Sequence, residues 1–144
     1  MTRDNRRKNI AVEIERGDEA LEEAELLLAA TKLPGAISRA YYAAFHYARA
    51  LLLTLGEEAR SHGGLHRLLM RDLVRTGELD PEMGAILSQL QNFRLEADYG
   101  AEFVFTAAKT QEEVDNARRF ISTARSWLAQ GGWLVTMGDG SRIE

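Results

Sequence analysis

The stretch from Pro34 to Leu55 is apolar on nearly every side, and this constrains the chain more than anything else in it. Wound as a helix, Ile37, Tyr41, Phe45, Ala48, Leu52 and Leu55 form one broad apolar face. Ala40, Ala43, Tyr47, Ala50 and Leu53 occupy much of the opposite one. A helix of this kind cannot lie on a surface and has to be wrapped by other helices. Pro34 suits its first turn and Gly56 its stop.

The rest of the sequence supplies the wrapping. A first helix runs from about Asp4 to Thr31, with Ile10, Ile14, Leu21, Ala24 and Leu28 on one face and Gly17 on that same face, marking a close helix contact. A third runs from about Ser61 to Thr76 and ends at Gly77. A fourth opens at the cap-and-proline pair Asp80-Pro81 and runs to about Tyr99. The sequence Thr110-Gln111-Glu112-Glu113 reads as a capping box opening a fifth, whose core face is Val114, Ala117, Ile121, Ala124 and Leu128 and whose end is Gly131-Gly132. Between the last two lies a loop, Gly100 to Lys109, with an apolar patch Phe103-Val104-Phe105 that needs a packing partner. No alternating strand pattern or internal repeat occurs. Short connections favour antiparallel neighbours, so the expected fold is all-α, an antiparallel up-and-down bundle of four to five helices spanning residues 1–132, with a fraying tail at 133–144.

Two polar features interrupt the apolar pattern. The fourth helix carries Met83, Ile86, Leu87, Leu90 and Ala97 in one stripe, and Arg94 sits in the middle of it. A guanidinium keeps its proton, so burial without a partner costs several kcal/mol. Asp98, one turn on, another helix's carboxylate, a subunit partner or a phosphate has to meet it. The second helix carries Arg39, Tyr42, His46 and Arg49 at spacings of three, four and three, a stripe about 80° wide at 100° per residue. Such a row reads either as an anion-facing strip on a groove or as a solvated or interface row whose arginines pair with acids. Ser61-His62-Gly63-Gly64 opens the third helix, where free amides and close backbone approach suit either a phosphate or a plain cap.

Composition narrows the chemistry. The 144 residues are enough for one compact domain with a core, and 45% of them are hydrophobic. A net charge of −4, from 22 acidic and 18 basic residues, argues against a protein that coats nucleic acid but leaves room for a local basic pocket. With no cysteine, disulfides, thiolate zinc sites and cysteine nucleophiles are excluded. His62 and His66 lie one turn apart, yet no third ligand and no Glu-x-x-His element accompanies them, so neither metal nor cofactor is expected. Met1 to Lys8 is charged with no apolar core after it, and no apolar run approaches a membrane span, which makes the cytoplasm the expected location.

Three pieces together resemble the HEPN family, the higher eukaryote and prokaryote nucleotide-binding domain. They are Arg39-Ala-Tyr-Tyr42-Ala-Ala-Phe-His46 with Ala50-Leu-Leu after it, Ser61-His62-x-Gly64 opening the next helix, and Arg94-Leu-Glu-Ala97-Asp98-Tyr99 closing the fourth. The resemblance implies a helical bundle related to the substrate-binding domain of nucleotidyltransferases. It implies a homodimer, and often a small nucleotidyltransferase as partner in a toxin–antitoxin pair. Many members are metal-independent endoribonucleases whose signature is an arginine followed after four to six residues by a histidine. Arg94 matches the arginine, but Tyr99-Gly-Ala follows, and the chain has no histidine after it. The leading expectation is therefore a dimeric nucleotide- or RNA-binding and partner module. Its phosphate- or nucleotide-facing residues are Arg39, Tyr42, His46, Arg49, Ser61, His62, Gly64, Arg94, Asp98 and Tyr99. The alternative is a metal-independent endoribonuclease toxin centred on Arg94, its base drawn from His46, His62 or Tyr99, with Arg94 and His46 the catalytic candidates. A third reading is a scaffold bundle whose polar rows are interface pairs. Arg94 and Asp98 are expected to pair, and the second and fourth helices to form the dimer seam.

Overall fold

The computed structural model describes residues 2–100 and 104–134. Among them stand five α-helices: α1 (Arg3–Ala29), α2 (Leu33–Leu53), α3 (His62–Leu69), α4 (Pro81–Tyr99) and α5 (Ala107–Gln130). No described residue is in a strand, so the chain is an all-α bundle. None of the helices is long and apolar enough to cross a membrane.

Pairings along the helices give their directions. Arg6 meets Thr54, Glu13 meets His46 and Glu23 meets Arg39, so α1 and α2 are antiparallel. Glu82 meets Arg119 and Gln89 meets Glu113, so α4 and α5 are antiparallel too. The long helices thus alternate up and down, and α3 is a short cross-piece between α2 and α4. α2 is the hub and touches all four other helices. Tyr41, Tyr47, Ile37, Leu51 and Leu52 are essentially inaccessible to water on it. Beyond its first turn, Leu33 to Gly35, only a strip through Ser38, Arg39, Tyr42, Phe45, His46 and Arg49 reaches the surface.

Gly17 makes the expected close contact. A Cβ there would lie 2.6 Å from the Tyr47 ring, and the Tyr47 hydroxyl donates to Asp18 at 2.6 Å, so the missing side chain is what lets α1 and α2 approach. The turn between them sets Thr31 at a φ of 59°, a left-handed conformation that β-branched residues rarely adopt.

Several boundaries differ from the sequence-based expectation. α2 stops at Leu53, where the Thr54 hydroxyl bonds back to the Leu51 carbonyl, and Leu55 is exposed instead of completing the apolar face. The third helix changes pitch after Leu69 into a π-helical turn, Met70–Val74, which seats the Met70 side chain over Gly84 of α4. α5 begins at Ala107, not at the Thr110 box: Thr106 is the cap, accepting from the Lys109 amide at 3.1 Å. Thr110 is already inside the helix, fully buried, its hydroxyl donating to the Thr106 carbonyl, and Glu113 turns to Gln89. The run Thr106-Ala-Ala propagates the helix back by one turn, because alanine costs nothing there.

In the apolar patch of the loop, Phe105 approaches Phe93 at 6.5 Å between ring centroids, but Val104 is 82% exposed. Phe103 lies outside the described residues. The tail begins packed, not frayed. Trp133 is buried against the core beneath the Arg3 guanidinium, 3.8 Å from its ring centroid, and the Leu134 carbonyl accepts from Arg7. Residues 135–144 lie outside the described set.

Candidate functional site

Arg94 is 5% exposed, as its place in the apolar stripe requires. Its Nη1 donates to Asp98 Oδ2 at 3.2 Å and its Nη2 to Gln91 Oε1 at 3.2 Å, so both polar partners come from its own helix. From α2, the ring of Tyr41 lies 5.2 Å and that of Tyr42 5.7 Å from the guanidinium carbon, placing two aromatic faces on the cation. Burial opposes the charge, but the Asp98 hydrogen bond and the ionisable oxygens of Tyr42, Asp98 and Tyr41 outweigh it and raise the Arg94 pKa above its ordinary value.

His62 joins this cluster from the first turn of α3. Ser61 caps that helix, its Oγ accepting from the Gly64 amide at 2.9 Å, and the cap fixes where His62 points. The Gly64 amide is thereby taken, and Gly64 is buried. His62 Nδ1 lies 2.6 Å from the Tyr41 hydroxyl, and its ring packs 4.9 Å from Phe45. Burial and then the charge of Arg94 hold its pKa below the ordinary histidine value, while burial pushes the Tyr41 phenol far up. Both groups are therefore neutral at pH 7. A buried phenol needs an acceptor, so Tyr41 donates to Nδ1 and the His62 proton resides on Nε2.

The Arg39/Tyr42/His46/Arg49 row occupies the exposed strip of α2, and its cations meet acids of α1 in the same chain. Arg39 reaches Glu23 at 3.2 Å. Glu13 is 5% exposed and receives three partners: His46 Nδ1 at 2.8 Å, Arg49 Nε at 3.3 Å and Arg16 Nη1 at 3.9 Å. Burial pushes the Glu13 carboxyl up, but the His46 hydrogen bond and the Arg49 and Arg16 charges prevail and hold it below its usual range. One carboxylate therefore faces two permanent guanidiniums, which leaves that cluster with an excess of positive charge. Arg39 also lies 4.9 Å over Tyr42, and Arg49 5.8 Å from Phe45, so charge and aromatic surface interleave along the strip.

Ring contacts link Arg39, Tyr42, His46, Arg49 and His62 through Phe45, and Arg94 lies buried against Tyr42 with Asp98 paired to it. Ser61 and Gly64 bond to each other. Tyr99, 76% exposed, stands at the end of α4 just beyond Asp98. Sequence reasoning missed Glu13 and Tyr41. Glu13 falls three after Ile10 and four before Gly17, inside the buried stripe of α1, the same kind of interruption that revealed Arg94. Tyr41 was visible only as core, because its partner His62 is supplied by another helix. Among the described residues, no group of three or more histidine or acidic side chains is placed to hold a metal ion.

Comparison with known proteins shows what the chain is similar to. The family model described as the HEPN domain matches residues 12–128. A Methanocaldococcus jannaschii protein named "putative toxin" is 26% identical over 129 residues, covering 90% of this chain and 88% of the relative. A second protein of that organism, also named "putative toxin", is 34% identical over 76% of this chain and 78% of its own length. A Thermotoga maritima protein of the uncharacterised group UPF0332 is 32% identical over 74% of this chain and 80% of its own.

Proposed function

The chain belongs to the HEPN domain family, and from that premise we propose that it is a cytoplasmic nucleotide- or RNA-binding partner module. In this reading it acts as a homodimer, paired with a small nucleotidyltransferase in a toxin–antitoxin-like system. The toxin names of two relatives support the system, and the excess of positive charge around Glu13 supports the binding. The observation that carries the proposal is the pairing of Glu13 with more cation than it can neutralise. Glu13 fixes Arg49 through Nε alone, so the two terminal nitrogens of that guanidinium remain for a phosphate. Arg39 uses only Nη1 on Glu23 and offers the same kind of fork.

A metal-independent endoribonuclease is favoured by one feature, the presence of His62 beside Arg94. Cleavage of RNA needs a base to take the 2′-hydroxyl proton. His62, in the tautomer set by Tyr41, carries its proton on Nε2, which donates and does not accept. His46, whose Nδ1 donates to Glu13, keeps an accepting Nε2 but belongs to the Glu13–Arg49 row and not to the Arg94 cluster, and no histidine follows Arg94 where the family signature has one. Binding therefore stands ahead of cleavage.

The test is fluorescence anisotropy of a labelled tRNA with the full chain over a salt series, in EDTA, with a gel of the same mixtures. Log Kd should rise linearly with log salt, and replacing both Arg39 and Arg49 by Gln should flatten the slope by about 2. Cleavage by the parent, abolished in His62→Asn and in Arg94→Lys, would install the ribonuclease. Salt-independent binding, or none, would reduce the row to structural ion pairs.

A further inference from the structure

Behind His62, a cavity of about 220 Å³ opens between α2, α3 and α4. Tyr41 and Leu87 form its apolar wall, and Ser88, Gln91, Asn92 and His66 its polar rim, with Gly63 at the mouth. No carboxylate, lysine or arginine is among the lining residues. The side chains of Ser88, Asn92 and His66 hydrogen-bond to no other described residue. Gln91 gives its carbonyl oxygen to Arg94, which leaves its NH₂ to donate elsewhere, and His62 Nε2–H is free by the tautomer derived above.

We propose that this cavity is a nucleobase pocket. Its size is below the roughly 300–1,000 Å³ of sites that take drug-sized ligands, so it suits one planar ring system and not a whole nucleotide. Lacking formal charge, it suits a neutral occupant. Its polar groups are of the kind that read base edges: the amide of Asn92 offers a donor and an acceptor side by side, Gln91 adds a donor from the next residue, and Ser88 serves as either. The lining rings with access to solvent are the half-buried imidazoles of His62 and His66, the kind of flat surface on which unpaired bases stack, with Tyr41 buried behind them.

The pocket connects to the phosphate row through rings alone: His62 lines the cavity and packs on Phe45, and Phe45 packs on His46 and lies near Arg49. A base seated in the cavity therefore has its sugar-phosphate directed along the α2 strip. This rests on the nucleotide-binding reading above and adds to it the chemical part that the strip does not recognise.

Nucleosides, which carry no phosphate, separate the two. The experiment is an NMR titration of the ¹⁵N-labelled full chain with adenosine, guanosine, cytidine and uridine, followed at the Gln91 and Asn92 side-chain amides, in low and high salt. A Cβ at Gly63 meets no atom within 4 Å, and the residue's φ is not positive, so Gly63→Leu adds bulk at the cavity mouth while the helix keeps its form, which a thermal melt checks. Asn92→Leu, on the exposed rim, is the second variant. At least one nucleoside should shift both amides with a salt-independent Kd, and both variants should weaken that binding at least tenfold. RNA binding by Gly63→Leu should keep its salt slope and lose its preference among homopolymers. If no nucleoside moves these amides while RNA binds parent and variants alike, the pocket is overturned and the phosphate row stands. If nucleosides bind and salt-dependent RNA binding is absent, the pocket is upheld and the row falls.

Discussion

At the scale of single residues, the molecule keeps two charged groups out of water by opposite means. Arg94 is satisfied from its own helix and by tyrosine faces from α2, whereas Glu13 is satisfied wholly by other side chains, two of them on α2. Arg94→Ala removes both the pair and the volume under the two tyrosines. Because Asp98 keeps partial access to solvent, the expected loss is about 2 kcal/mol, less than the roughly 3–5 kcal/mol of a fully buried pair that loses one partner. Arg94→Met, which refills the space, should lose about 1 kcal/mol. Urea denaturation of the three proteins checks this, and an Arg94→Ala midpoint equal to the parent's would mean the guanidinium contributes nothing to the fold. Arg94 was legible in the sequence because a lone cation in an apolar stripe is conspicuous. Glu13 breaks a stripe just as squarely but is camouflaged by the many acids of the first helix, and only the packed bundle reveals which of them is inside.

At the scale of elements, helix existence and order were readable from apolar spacing, and the ends were decided by competing local chemistry. Thr106 and Thr110 both carry cap chemistry, and the two alanines between them let the earlier one win. The π-helical turn left no mark in the sequence, because its cause is the fit of Met70 over Gly84 on a different helix. Two glycines give contrasting expectations. Gly17→Ala gains about 1 kcal/mol of helix propensity but drives a methyl into a Tyr47 ring held by hydrogen bonds from two sides. Overpacking costs about 1–3 kcal/mol, so a net loss is expected. Gly63→Ala meets open space and should be neutral or slightly stabilising. Thermal melts of the pair, with the parent, decide it. A Gly17→Ala protein more stable than the parent would show that α1 and α2 can separate without cost.

At the scale of the whole molecule, the bundle leaves an aromatic and cationic strip of α2 open beside the exposed Leu95 and Tyr99 of α4. A second copy related by a twofold axis would cover both strips at once. Sedimentation equilibrium at micromolar concentration should give about twice the chain mass of 16.1 kDa, and the melting temperature should rise with protein concentration. A single 16.1 kDa species with a concentration-independent melt would count against the dimer. The composition alone, with its net charge of −4, gave no hint that Arg16 and Arg49 would share the single carboxylate of Glu13.

The contacts that close the ends of the bundle also set the order of events in time. Arg3 reaches Gly131 across 128 residues of sequence and stacks on Trp133, while the α1–α2 hairpin is joined by a turn of three residues. Closing a long loop costs more entropy than closing a short one, so the hairpin belongs early on the folding route and this clasp at its close. Trp133→Ala should therefore leave the refolding rate nearly unchanged and speed unfolding, with a φ-value near zero in stopped-flow chevrons. A slowed refolding limb would place the clasp in the nucleus. On this view the two distant ends act as a latch whose release governs how long the native protein lasts.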